Sequence, residues 1–247
     1  MVRFSKGLRV VKKRGFGLGW WTRMLGVGGL AVVLIGGGPA QSKGVEMETK
    51  EPVRLIFDTD IGNDVDDAMA MAVIHALANR GECQLLAVTV TKDNPYAARM
   101  VDVLNTFYGR PDVPIGVVRG GKTPEDGKYL RQVVTAQDDG RPRYPHRLTD
   151  SSKAPEATEL LRRTLAAQPD GSVVLVQVGF STNLARLLDS QPDSISPLDG
   201  RSLAAKKVRL LSVMAGAFSE DLQKRRFREY NVAVSYTHLT LPTIYSV

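Results

Sequence analysis

Residues 58–67 read DTDIGNDVDD, five aspartates in ten positions, directly after the apolar run VRLIF. A short apolar, β-branched run of this kind is a buried strand, so the cluster begins where the core ends. Carboxylates packed this closely repel one another, and burial penalises their charged form. Such a chain must therefore fold so that water, hydrogen-bond donors or a cation reach this turn. Asp58 and Asp60 are two apart on extended backbone and point the same way. Asp66 and Asp67 open the next apolar segment, where a helix dipole favours negative charge. Capping and solvation explain some of the five, but an N-cap uses a single acid. A hard cation that collects oxygen ligands explains the rest. The spacing is not that of an EF-hand, because Gly62 is misplaced and no glutamate closes the loop.

From residue 43 onward, strand and helix patterns alternate. Strands are expected at 53–58, 84–91, 113–118, 172–178 and 208–214. Between the first two, DDAMAMAVIHALANRG is apolar almost all round and predicts a buried crossover helix ended by Gly81. Asn94-Pro95 predicts a capped helix start, followed by the stripe Ala97, Met100, Val101, Leu104 and Phe107. Segment 119–152 is polar, rich in Gly, Pro and Asp, and has no period, which predicts a long surface excursion. Further helices are expected at about 155–167 and from Ser181. This order predicts an α/β fold with a mostly parallel, doubly wound sheet. Ligands of such sheets sit outside the carboxyl ends of the strands. The aspartate cluster, TKDN (91–94), GFSTN (179–183) and MAGAF (214–218) all fall there, so four loops converge on one crevice.

The formal charge of +7 does not signal a nucleic-acid partner. Of the 33 basic residues, seven lie within 1–42 with no acid among them, which leaves 26 basic against 26 acidic residues in a neutral remainder. Residues 1–42 have the order of an export signal: a basic stretch to Arg23, the apolar MLGVGGLAVVLIGGG, then small residues at GPAQS. Export to a periplasmic or external compartment is expected, with no stable membrane span once the leader is removed; a retained anchor is the alternative, against which the short apolar run argues. Cys83 is the single cysteine, so neither an internal disulfide nor a cysteine-based zinc site is available.

Two competing motifs need weighing. GVVRGGKT (116–123) fits the phosphate-loop pattern, but Val117 and Val118 continue a strand, and Pro124 and Gly127 spoil the helix that should follow. A strand followed by DxD also begins haloacid-dehalogenase-type phosphohydrolases, in which Asp58 would be the nucleophile and Asp60 the acid/base. That motif continues with Thr or Val where this chain has Gly62, and it leaves three acids surplus. His75 on the apolar helix reads as a core histidine and His146 as a surface one.

Taken together, DTDIGNDVDDAMA after a strand, VTVTKDN, GRPDVPIGV, GFSTNLA, VMAGAF and EYN resemble, in order over residues 53 to about 234, the inosine–uridine-preferring nucleoside hydrolases. The resemblance implies an α/β enzyme that holds Ca²⁺ at the end of its first strand and hydrolyses the N-glycosidic bond of ribonucleosides. It implies that Asp60 is a metal ligand and the general base on a calcium-bound water. Asp67 would be a second ligand, and Thr182 would add its backbone carbonyl. Asp66 would meet the ribose 2′-hydroxyl, Asn94 would hold the ribose, and Met214, Glu229 and Asn231 would line its pocket. The partner implied is a small nucleoside, and a homo-oligomer is an open option.

The chain departs from the family pattern twice. Many members read DxDxGxDDA, whereas two more residues intervene here, so Asp64 competes with Asp66 for a role. After EYNVAV the family pattern expects an aspartate, a helix and later a histidine–aspartate segment; this chain reads SYTHLTLPTIYSV. The expectation is a hydrolase domain over 43–234, incomplete at its C-terminal end, with 235–247 a non-native tail and His238 no substitute for the family's histidine. A non-enzymatic reading, an exported nucleoside- or ribose-binding protein, stands beside the hydrolase and the phosphohydrolase.

Overall fold

The computed structural model describes residues 51–235. The leader expected at 1–42 and tail residues 236–247 lie outside the described residues. Among the described residues no helix is long and apolar enough to cross a membrane.

Five parallel strands form the sheet: β1 (Val53–Thr59), β2 (Cys83–Lys92), β3 (Ile115–Lys122), β6 (Val173–Gln177) and β7 (Val208–Val213), in the order β3-β2-β1-β6-β7. The chain steps outward from β1 to β3, then returns to the far side of β1, so the order reverses at the β1/β6 boundary. That reversal opens a crevice beyond the strand ends. In register, Asp58 stands opposite Thr89 on one neighbour and Gln177 on the other.

Alternation along β1 sends Phe57 and Ile56 to opposite faces. Phe57 joins Met71, Ile74, Val88, Val101 and Leu130 in the core formed with α1 (Asp66–Asn79), α2 (Ala97–Phe107) and α3 (Leu130–Thr135). Ile56 joins Leu161, Leu165, Leu175, Leu187 and Leu203 under α4 (Ala157–Ala166), α5 (Thr182–Asp189) and α6 (Gly200–Lys207). Helices thus cover both faces, as the strand–helix alternation predicts.

Several elements differ in detail. Helix α1 is buried along one side only: Met71, Ile74 and His75 face inward, while Met69 and Val73 are 63% and 57% exposed. Helix α2 begins at Ala97, with Tyr96 rather than Asn94 at the N-cap position and no side-chain cap bond, and Phe107 at the end of the expected stripe is exposed. Strand β3 runs to Lys122, so all of GVVRGGKT but Thr123 lies in a strand, with a left-handed turn of the backbone at Gly120, and not in a phosphate loop. The excursion 119–152 is less irregular than its composition suggests. It contains α3, whose Leu130 and Val134 enter the core, the short hairpin β4–β5 (Gln137–Asp138 and Arg141–Pro142) and a 3-10 turn at Ser151–Lys153. His146 is half-buried against Arg99. Strand β7 is exposed on both faces, with Leu210 and Leu211 about half accessible. Two short helices follow, α7 (Glu220–Lys224) and α8 (Tyr230–Val234).

Candidate metal and substrate site

The site is built where β1, β2 and β6 end. Val65, not an aspartate, occupies the N-cap of α1 and makes no side-chain cap bond, so the acids of this loop are not used up by capping. Asp66 Oδ1 accepts from Asp67 N at 2.9 Å, and Asp67 Oδ1 accepts from Thr59 Oγ1 at 2.8 Å. Carboxylate oxygens of Asp64, Asp66 and Asp67 lie within 4.8 Å of one another, with Asp64 and Asp66 exposed and Asp67 buried. Asp64 thus sits with Asp66 and Asp67, inside the same acidic cluster. Asp60, 8% exposed, is adjacent and repels Asp67.

Burial raises the Asp60 carboxyl to about 7, with repulsion from Asp67 adding to it. Burial likewise lifts Asp67 to about 6. Asp64 is pushed up by its hydrogen bond to the Asp66 carboxylate and by partial burial. Asp58 is sealed below them: it is fully buried and raised to about 7 by desolvation. Its Oδ1 accepts from Thr89 Oγ1 at 2.5 Å and Asn183 Nδ2 at 2.8 Å, while its Oδ2 has no partner.

Glycine makes this convergence possible at two points. A Cβ on Gly179 would stand 2.6 Å from Asp60 N, so only glycine lets the β6 end pass against β1. Gly62, at φ 132°, turns the aspartate loop under Leu130, and its carbonyl accepts from Lys128 N at 2.9 Å. The excursion therefore lies over the loop, which brings the Tyr129 hydroxyl beside the acids; burial, then Asp67, Asp64 and Asp66, push its pKa up.

The remaining expected residues also arrive at this end of the sheet, in two groups. Thr182 begins α5, is 1% exposed, and its Oγ1 lacks a partner. Asn94 is buried but engaged: its Oδ1 accepts from Tyr96 N at 2.8 Å, and its Nδ2 donates to Pro124 O at 2.8 Å and Asp126 Oδ1 at 3.0 Å. Its visible role is to tie the β2 end to the excursion. Met214, Glu229 and Asn231 form the second group. Asn231 Nδ2 donates to Val178 O at 2.6 Å and Met214 O at 3.0 Å, joining α8 to the ends of β6 and β7. Glu229 caps α8 by accepting from Asn231 N and Val232 N, and it also accepts from Gly216 N at 3.3 Å. Met214 is 47% exposed. Burial, then the charges of Asp60 and Glu125, push the Tyr230 hydroxyl pKa up.

Sequence reasoning did not single out Lys92, Asn63, Thr91, Tyr129, Asn183 or Tyr230. Thr91 accepts from Phe180 N at 3.0 Å and donates to Thr59 O at 3.2 Å, bridging β1 to the β6–α5 loop. A lysine closing an otherwise apolar strand was the one visible signal for Lys92.

The oxygens suit a hard cation: carboxylates of Asp64, Asp66 and Asp67 gather at a partly wet rim, and burial raises the cost of leaving the charge of Asp67 uncompensated.

The fold is shared with solved structures. The type III effector protein XopQ complexed with adenosine diphosphate ribose superposes with a TM-score of 0.54 at 18% identity, covering 76% of this chain and 51% of that one. A plant nucleoside hydrolase, PpNRh1, gives 0.44 at 26% identity over 67% of this chain and 48% of its own. The inosine-uridine preferring nucleoside hydrolase from Bacillus anthracis gives 0.46 at 18% identity over 67% and 51%. The chain thus spans about half the length of each of these structures. Sequence comparison with curated proteins gives no match. The family model for inosine-uridine preferring nucleoside hydrolases matches residues 55–235, from the first strand through the aspartate loop to the end of α8. On that match, the chain belongs to the inosine-uridine preferring nucleoside hydrolase family.

Proposed function

We propose that the protein is an exported hydrolase of the N-glycosidic bond of ribonucleosides that works with a bound calcium ion. The single observation that carries this reading is the acidic cluster Asp64, Asp66 and Asp67 with buried Asp60 beside it, at the switch point of a sheet matched by this family. Asp60 and Asp67, with the carbonyl of Thr182, would hold the ion, and Asp64 and Asp66 supply further oxygens. When bound, the cation supplies orientation of water and ribose diol and a lowered water pKa. The remaining work falls to the chain. Asp60, buried beside the acidic cluster at the end of β1, takes the proton from the attacking water. Asp66, at the exposed rim, accepts from the ribose 2′-hydroxyl. Contacts of this kind strengthen as the sugar gains oxocarbenium character. Asn94, Met214, Glu229 and Asn231 would frame the ribose, the last two already locked in place by their backbone bonds.

The phosphohydrolase alternative requires Asp58 to attack. Asp58 has no exposed surface and one oxygen is held by Thr89 and Asn183, which argues against a nucleophile there. The reading is tested by incubating the full chain with inosine and with uridine, in Ca²⁺ and in chelator, and measuring reducing sugar. Ribose release that needs Ca²⁺, and that falls by about 10²–10⁴-fold in kcat with little change in KM for Asp60→Asn, is expected. Thermal stabilisation by nucleoside without sugar release would establish the binding-protein reading instead; cleavage of p-nitrophenyl phosphate but not of the riboside would establish the phosphohydrolase.

A further inference from the structure

Lys92 ends β2 and is 2% exposed, a rare position for an ammonium. Among the described residues, Lys92 and Arg162 are the cations buried to this degree, and Arg162 is held by Asp193. The Lys92 ammonium is held by a neutral acceptor: its Nζ donates to Asn63 Oδ1 at 3.0 Å. Burial lowers its pKa, and the charges of Glu125 and Asp126 on the excursion and of Asp60 on the aspartate loop oppose that pull. Asn63 lies in the stretch that makes this aspartate loop two residues longer than DxDxGxDDA. The same bond therefore fastens the part of the loop that carries Asp64.

A buried charge persists only where opposite charge compensates it, and removing one side of such a balance leaves the other exposed to the full desolvation penalty. Here the acids outnumber the lysine, and the lysine cannot dissociate. We propose that Lys92 is the resident counter-cation of the aspartate loop: a positioning residue that keeps the loop in shape without metal and, as a fixed positive neighbour, weakens metal binding. The second half of this statement rests on the cation site proposed above; the first does not. Ca²⁺ arriving beside Lys92 meets like charge, so the loop gains metal-free stability at the expense of affinity.

The test compares the full-length wild type with Lys92→Met, Asn63→Leu and the charge-balanced double variant Lys92→Met/Asp60→Asn, by thermal melting in chelator and in saturating CaCl₂, with Ca²⁺ affinity by titration calorimetry. In chelator, Lys92→Met is expected to melt about 5 °C or more below wild type, at the roughly 2–4 °C per kcal/mol of a domain this size. The double variant is expected to recover much of that loss. Ca²⁺ should raise the melting point of Lys92→Met more than that of wild type, with several-fold tighter binding. Asn63→Leu, which removes the hydrogen bond and keeps the charge, should cost less and leave the Ca²⁺ gain unchanged. A Lys92→Met protein as stable as wild type in chelator overturns the proposal, as does an equal deficit with and without Ca²⁺ in a protein whose wild type responds to the ion. Should Lys92→Met not fold in chelator, recovery by the double variant supports the proposal and its absence overturns it. A wild type indifferent to Ca²⁺ removes the cation reading, while the chelated comparison still decides the role of Lys92 in the loop.

Discussion

Asp58 and Asp60, both raised to about 7, and Asp67, raised to about 6, are ionised at a cost in the folded protein that the unfolded chain does not bear. In the unfolded chain each ionises near its ordinary value of 3.8. Their contribution is therefore full below that value and is lost as pH rises through the folded values. The chelated protein is expected to melt at progressively lower temperature between about pH 4 and pH 7, and saturating Ca²⁺, proposed above as the ligand of the ionised folded cluster, should flatten or reverse that slope. Melting curves at several pH values with chelator and with CaCl₂ check this; a metal-free melting point that rises with pH over that window would contradict it. At this scale the sequence was informative about chemistry. Five clustered acids after an apolar strand are hard to explain without a cation. It was uninformative about partition: that Asp58 is sealed by Thr89 and Asn183 while Asp64 joins the cluster depends on residues far away in sequence.

Elements are held at the site by a few long-range fastenings. Arg162 on α4, with a side chain only 3% exposed, donates to Asp193, Ser190 Oγ and the carbonyls of Ser196 and Leu198, and so closes the 190–199 loop against α4. The two ends of this ion pair are unequal. Removing Arg162 leaves Asp193, which is 38% exposed and can be hydrated, whereas removing Asp193 leaves a guanidinium buried. Asp193→Ala is thus expected to lower the melting temperature more than Arg162→Met does, and equal losses would show that the buried guanidinium is satisfied by its remaining partners. Most elements were legible from period and punctuation: β1, β2, β6, β7, α1, α4 and α5 fall within a few residues of their expected places. The misses have physical causes. Asn94 forms its turn two residues before the N-cap Tyr96 because its amide is drawn to Pro124 and Asp126. Helix α3 was hidden because a single turn and a half buries just Leu130 and Val134, too few positions to show a period.

Across the molecule, protection should follow depth in the sheet. Strands β1, β2 and β6 have neighbours on both sides, while β7 lies at the edge with Leu210 and Leu211 half exposed. Hydrogen exchange is expected to be slowest in β1 and β2 and fastest in β7 among the sheet strands, and slow exchange throughout β7 would indicate a further covering of that edge. The sequence by itself determined the α/β class, the parallel sheet and the end of the sheet where chemistry gathers, because strand and helix periods and charge density are local properties. Only the tertiary structure decided the burial of each acid, the use of Asn94 and Asn231 as fastenings and the presence of Lys92 among the carboxylates. Those outcomes are set by which strand lies beside which, and adjacency of β1 with both β2 and β6 joins residues more than a hundred positions apart, such as Asp58 and Asn183.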